Sequence, residues 1–302
     1  MCYINVVLKT TLNSRINRFQ GEMKMEYKII VDSCGEFTED MKKSEVFQSI
    51  PLYIMIEGLQ MVDDEKFDRD EFLKIASSSK ECPRSACPSP EQYLEAFKGE
   101  QKRIYVVTLS GNLSGSFNSA TLAKQMMEED SDKEIYVFDS RSASVGETLI
   151  ALKIKECEDK GLSFAEVIYE VEKYIESQNT FFVLEDLETL RKNGRLSGMK
   201  MLVASALHIK PILGATPEGT IQQIGTARGM KKAIKVLVDE VVKAVKNPEE
   251  KILAIANCNS RKRAEDVKNM LLAQLNLKDI LILDTSGIST MYASEGGIIV
   301  VV

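Results

Sequence analysis

One histidine, His208, occurs in 302 residues, and tryptophan is absent. His208 lies in the apolar stretch Ala204-Ser205-Ala206-Leu207-His208-Ile209-Lys210-Pro211, a setting for a packed or interface histidine. Any Ser-His-Asp apparatus would have to recruit that single imidazole. No apolar run approaches the roughly 18 residues a membrane-crossing helix needs, and the terminal run Gly297-Ile298-Ile299-Val300-Val301-Val302 suits a short buried strand. The six cysteines, Cys2, Cys34, Cys82, Cys87, Cys157 and Cys258, form no CxxC pair and no disulfide-dense pattern. The start lacks a secretory signal, so a reducing cytoplasmic location is expected. Cys82 and Cys87 have no second Cys/His pair near them, which argues against a structural zinc site; no metal is expected. Neither a GxxxxGK[ST] phosphate loop nor a GxGxxG dinucleotide fingerprint is present, which argues against a nucleotide-driven enzyme.

What is present is a layered pattern. Short, β-branched apolar runs recur at 29–31, 104–109, 135–138, 181–184, 252–256, 280–283 and 298–302, the signature of buried strands in α/β sheets. Between several of them lie helical periodicities. Examples are Phe164, Val167, Ile168, Val171 and Ile175, then Ile234, Leu237, Val238, Val241, Val242 and Val245. Two α/β domains are expected. Lys160-Gly161-Leu162-Ser163 joins a helix-ending glycine to a serine cap and marks the division, giving domains at 25–160 and 161–302. Residues 1–24 carry no period. The codons for Gln20-Gly21-Glu22 can spell a purine-rich ribosome-binding site ahead of Met23 and Met25, so 1–24 reads as a leader or a mis-assigned start.

Charge is uneven. Between residues 187 and 235, nine Lys/Arg face only Glu188 and Glu218, a local +7 that leaves −13 for the rest of a chain with formal net charge −6. Such an island suits a local anionic partner, with a solvated charged face as the plain alternative. Nucleic acid is not expected, because the island lacks interleaved aromatics and the chain is acidic overall.

Two polar loops stand out. Thr108-Leu109-Ser110-Gly111-Asn112-Leu113-Ser114-Gly115-Ser116 follows a strand and feeds a helix, so its free N–H groups and the Ser114 hydroxyl suit a carboxylate or phosphate. A capped helix satisfying its own end is the alternative. The spacing is GxxSG, which departs from the GxSxG of a nucleophile elbow. In Ser85-Ala86-Cys87-Pro88-Ser89-Pro90, Ser89 and Pro90 start a helix, which leaves Ser85 and Cys87 for another role.

Several motifs in one order resemble the DegV family of bacterial fatty-acid-binding proteins, from about Tyr27 to Val302. They are Val31-Asp32-Ser33, the 85–89 loop, Leu109-Ser110-Gly111-Asn112-Leu113-Ser114-Gly115-Ser116 and Val137-Phe138-Asp139-Ser140. The second half supplies Leu187-Glu188-Thr189-Leu190-Arg191-Lys192-Asn193-Gly194-Arg195, Lys210-Pro211-Ile212-Leu213 and Arg228-Gly229-Met230-Lys231-Lys232-Ala233. The resemblance implies a pair of α/β domains with a lipid tunnel at and near their junction. It implies one long-chain fatty acid, no catalytic residue and no cofactor. A separate ATP-dependent fatty acid kinase would turn the bound ligand into an acyl phosphate for phospholipid synthesis, and stable membrane insertion is not implied. Ser114, Gly115 and Ser85 would hold the carboxylate, with Arg195 and Arg228 supporting the headgroup or docking the kinase. Cys87 stands where the family has glutamine and Ala293 where it has a histidine, with Tyr292 or Ser294 as possible substitutes. At about 0.8 kcal/mol per buried CH₂, a long acyl chain gains on the order of ten kcal/mol on leaving water. The 13 methionines suit a pocket lining, although core filling is their commoner task. Two other readings remain at this point. One is an enzyme acting on an acyl or other carboxylate substrate through Ser114 or Cys87, and the other is a regulatory protein that binds through the basic island.

Overall fold

A strand buried on both faces needs apolar side chains on both, and the continuous apolar runs of this chain become strands of that kind. A computed structural model describes residues 26–128, 131–196 and 208–302. The expected leader 1–24, its start at Met25 and the island's Lys200 lie outside the described residues. The first elements are β1 (Tyr27–Asp32), α1 (Glu39–Lys43), β2 (Phe47–Ile50), β3 (Tyr53–Ile56), β4 (Leu59–Val62), α2 (Arg69–Ser78), β5 (Arg84–Ala86), α3 (Pro90–Ala96), β6 (Arg103–Thr108), α4 (Ser116–Glu128), β7 (Glu134–Asp139) and α5 (Val145–Asp159). Then come α6 (Phe164–Ser177), β8 (Thr180–Val183), α7 (Glu188–Lys192), β9 (Ile209–Ala215), β10 (Ile221–Arg228), α8 (Met230–Ala244), β11 (Ile252–Asn257), α9 (Arg261–Leu272), β12 (Asp279–Asp284), α10 (Gly287–Ala293) and β13 (Ile298–Val301).

Three sheets result. The first, β2-β1-β6-β7, is wholly parallel. The second, β10-β9-β8-β13-β11-β12, is mixed, with β11 and β12 parallel and the other pairs antiparallel. A small antiparallel sheet, β4-β3-β5, completes the set. Helices α3 and α4 cover one face of the first sheet through Tyr93, Phe97, Ala120 and Ala123. Helices α8 and α9 cover the second through Leu237, Val241, Val267 and Leu271. The two-domain α/β expectation therefore holds.

Helix α5 explains why its sequence lacks a clean apolar stripe. Ile150, Ala151 and Ile154 pack on the first sheet, while Val145 and Leu149 pack on Ala254, Ala256 and Val301 of the second. A helix between two sheets is apolar around its circumference. The glycine and serine at 161 and 163 behave as expected: Gly161 has φ +74°, and Ser163 forms a capping box with Glu166. Yet α6, after that signal, sends Val167, Val171 and Ile175 into the core of the first sheet. The main packing on the first sheet thus continues through α6, past 160/161, and β8 at Thr180 is the first strand of the second sheet. A capping signal marks the end of a helix and carries no information about which sheet the next helix covers.

Candidate functional site

In the first sheet, β1 connects outward to β2 while β6 connects to β7 on the opposite side, so the loops leaving β1 and β6 diverge. Such a topological switch, at the carboxyl ends of parallel strands, is where open α/β sheets make their crevice. Asp32 spans it, accepting the Leu109 N–H at 2.9 Å and the Cys34 N–H at 3.1 Å. The second sheet closes over the crevice: the Ser110 hydroxyl donates to the Gly219 carbonyl at 2.8 Å, and the Asn112 amide donates to the Glu218 carbonyl at 2.6 Å.

Between the sheets lies a cavity with about 830 Å³ of empty space, its open end included. Leu52, Leu109 and Ile288 line one side and Phe182, Leu184 and Ile299 the other. Leu113, Ser114, Arg195, Thr220 and Ile221 border both this cavity and a wider polar cleft that holds Gly115, Asn118 and Gln222. An apolar interior thus meets a polar mouth at Ser114 and Arg195, the shape and polarity that an amphiphile with an anionic head requires.

The mouth is built by the loop from β6 to α4. The Ser116 N–H donates to Ser114 Oγ at 3.2 Å, so this hydroxyl is partly engaged in its own loop, as the capping alternative anticipated. The N–H groups of Gly115, Phe117 and Asn118 have no partner among the described residues. A helix start with free donors favours an anion. A Cβ on Gly115 would stand 2.9 Å from Cys87 Sγ, so a side chain there would push the thiol aside. That sulfur lies 3.9 Å from the Ser119 hydroxyl.

Ser85, brought in by β5, lies 3.0 Å from the Tyr292 hydroxyl, and both line the cavity. Burial pushes the Tyr292 phenol up, so it stays a neutral donor. Arg195 holds its guanidinium 5.8 Å from the centre of the Tyr292 ring. It donates to the carbonyls of Leu113 at 3.1 Å and Asn193 at 2.6 Å. No carboxylate pairs with it among the described residues, so its charge remains for a ligand.

Other expected residues are not at the mouth. Arg228 ends β10 opposite Ile209, whereas Ile221 at the other end of the strand borders the cavity. Ser294 follows α10 at φ +55° and is not among the cavity-lining residues, although the neighbouring Ala293 is. His208 is exposed and its carbonyl accepts the Gly229 N–H. It lies with Arg228 at the far end of the β9–β10 pair, which removes the only imidazole that Ser114 could have used. Among the described residues, no group of three or more His, Cys, Asp or Glu could hold a metal ion.

Sequence reasoning missed the hydroxyls of Ser142, Thr180 and Ser289 that line the cavity, and Arg141 beside them. It also missed buried acids bonded to residues of the cavity lining, Glu36 to Ser144 and Asp63 to Ile288. Burial pushes Glu36 up to about 7 and Asp63 up to about 6. Asp63 accepts the Gly287 N–H at 2.6 Å, the Ile288 N–H at 2.9 Å and the Ser33 hydroxyl at 2.8 Å, clamping the start of α10. Nothing in one-dimensional spacing marks these acids, because they come from separate elements.

Comparison with known proteins places this arrangement. The family model described as "Uncharacterised protein, DegV family" matches residues 26–302. The chain belongs to the DegV family. A DegV family protein from Ruminococcus gnavus, refined with vaccenic acid, is 55% identical with a TM-score of 0.90, covering 92% of this chain and 99% of its own. The Streptococcus pneumoniae Fatty Acid Kinase (Fak) B3 protein, loaded with linoleic acid, is 36% identical with a TM-score of 0.83, covering 92% and 99%. A Streptococcus pneumoniae DegV domain-containing protein is 37% identical over 278 residues, 91% of this chain and 98% of its own. Among the described residues, no helix of this DegV protein is long and apolar enough to cross a membrane.

Proposed function

We propose that the protein binds one long-chain fatty acid, without catalysing its conversion, and presents it to a separate ATP-dependent fatty acid kinase. The observation that carries this reading is the apolar cavity between the sheets, ending at Ser114 and Arg195 beside free helix N–H groups. Relatives loaded with linoleic and heptadecanoic acids support the ligand class. The carboxylate sits at the Ser114–Gly115 turn within reach of Ser85 and Tyr292, and Arg195 supplies the positive charge. The acyl chain fills the apolar interior, where each buried CH₂ contributes about 0.8 kcal/mol.

The open cleft next to Ser114 gives a kinase access to the carboxylate, and the product is an acyl phosphate destined for phospholipid synthesis. Arg228, away from the cavity, serves kinase docking rather than the headgroup. These roles suit a cytoplasmic protein. Native mass spectrometry of the purified protein, followed by lipid extraction, tests the reading. A stoichiometric long-chain fatty acid is the expected result, and a protein that is empty and refuses added fatty acid would falsify it.

A further inference from the structure

The buried acids have no task in that function. Asp32, Glu36, Asp63 and Glu147 are 0, 3, 3 and 0 % exposed. No Lys or Arg pairs with any of them among the described residues. Both oxygens of Asp32 are engaged by backbone amides of two different loops, those of Cys34 and Leu109. Those residues line the cavity. Asp32 is therefore the tie between the exit of β1 and the loop that carries Ser114.

Glu147, in the first turn of α5, packs against the exit of β1: a Cβ placed on Gly35 would stand 3.0 Å from Glu147 Cβ and 3.6 Å from the Asp32 carbonyl oxygen, and the Asp32 charge acts on the Glu147 carboxyl. Neither of its oxygens receives an N–H or O–H from the protein. An ionised carboxylate in such a place, with only the weakly donating Cys34 thiol beside it and no cation, costs several kcal/mol. A protonated one costs far less, and Asp32 is the acceptor within its reach. We propose that Glu147 is a neutral, proton-donating partner of Asp32, and that this carboxyl pair positions the β6–α4 loop bearing Ser114. Asp32 and Glu147 are thus positioning residues. The proposal rests on the fatty-acid reading only for the identity of what Ser114 holds.

The surroundings fit. Glu36, Asp63, Cys34 and Tyr93 face the pair, and each of them is neutral or negative in every protonation state. Burial first, and the Asp32 charge second, hold Glu147 well above the usual carboxylate range. Raising the pH far enough to ionise Glu147 sets two anions against each other across the switch, and the loops lose their common tie.

Two measurements on the full chain test this. An infrared difference spectrum of wild type against E147Q at neutral pH should show a protonated carboxylic-acid band that the variant lacks; absence of the band overturns the proposal. The second is affinity for cis-parinaric acid as a function of pH. The wild-type Kd should rise by up to about tenfold per pH unit once Glu147 ionises, a component that E147Q lacks, while the changes that follow Glu36 at about 7 and Asp63 at about 6 are common to both proteins. E147L, which removes the donor, should bind more weakly than wild type at neutral pH, and E147Q should restore most of the loss. Identical pH profiles for wild type and E147Q would show that the pair positions nothing. If the wild type binds no fatty acid, the functional reading fails instead. The infrared band and the protection of the Leu109 amide, lost at high pH in wild type but kept in E147Q, then decide the pair on their own.

Discussion

Replacing Glu36 by Gln should alter the pH dependence of stability more than stability itself. Glu36 is 3 % exposed. It accepts the Ser144 hydroxyl at 2.8 Å and the Ser286 N–H at 3.4 Å. Burial pushes its pKa up to about 7, against an ordinary value of 4.5. Because the folded value is the higher one, the unfolded chain releases its proton first as the pH rises. The contribution to stability is then full below about 4.5 and is lost as the pH climbs through about 7. That gap corresponds to about 3 kcal/mol. Gln cannot ionise, so it escapes the loss. It keeps one acceptor for the Ser144 hydroxyl and gives up the other, a pH-independent cost of about 1 kcal/mol. Asp63, at about 6, titrates in the same window, but it is present in both proteins and cancels in the difference. Urea unfolding at a series of pH values measures both terms of the comparison. Relative to the variant, wild type should lose about 3 kcal/mol between about pH 4 and about pH 8, with the denaturant slope unchanged. Two parallel stability curves would refute the account of Glu36 as a buried acid that ionises only at a cost.

Ser114→Ala should weaken fatty-acid binding by about tenfold, the loss of one hydrogen bond to a charged group, with the melting temperature unchanged; titration with a fluorescent fatty acid reads it, and equal affinity removes Ser114 from the site. Arg195→Met keeps an apolar stem over Tyr292 but removes the charge, so affinity for the carboxylate should fall by roughly ten- to a hundredfold, while affinity for the matching fatty alcohol changes little. Equal losses for acid and alcohol would mean that Arg195 acts through packing. Gly297→Ala places a Cβ 2.6 Å from the Ala293 carbonyl oxygen, a backbone atom with no side chain to swing aside. It should destabilise the fold by about 1–3 kcal/mol, and an unchanged urea midpoint would contradict the close approach of β13 to α10.

All seven strands expected from apolar runs exist, because a run of β-branched residues buried on both faces has few other places to go. Six further strands were not legible. β10, Ile221–Arg228, mixes Gln, Thr and Gly at the sheet edge, where one side stays wet and the apolar pattern is diluted. β9 contains Pro211, a residue that demotes a strand on paper, yet it pairs along its length with β10. The start of α3 at Ser89 and Pro90 was read directly, since a capping box with proline at the first helical position is a local device.

The site divides in the same way. Its β6–α4 loop was legible because a small-residue turn into a helix presents free N–H groups whatever surrounds it, and Gly115, Phe117 and Asn118 still hold theirs free. By itself, then, the chain determined two α/β layers, a turn suited to an anion, and a family resemblance that singled out Ser85, Ser114 and Arg195. Only the tertiary structure decided that Tyr292 meets Ser85 while Ser294 stays outside, and that Arg195 reaches the mouth while Arg228 lies at the far end of its strand. It alone buried Asp32, Glu36, Asp63 and Glu147 and bonded the first three to residues that line the cavity, Leu109, Ser144 and Ile288. Turns and caps are set by neighbours a few residues away, whereas a cavity and the protonation of its buried acids depend on groups far apart in the chain, which are brought together only when the sheets pack.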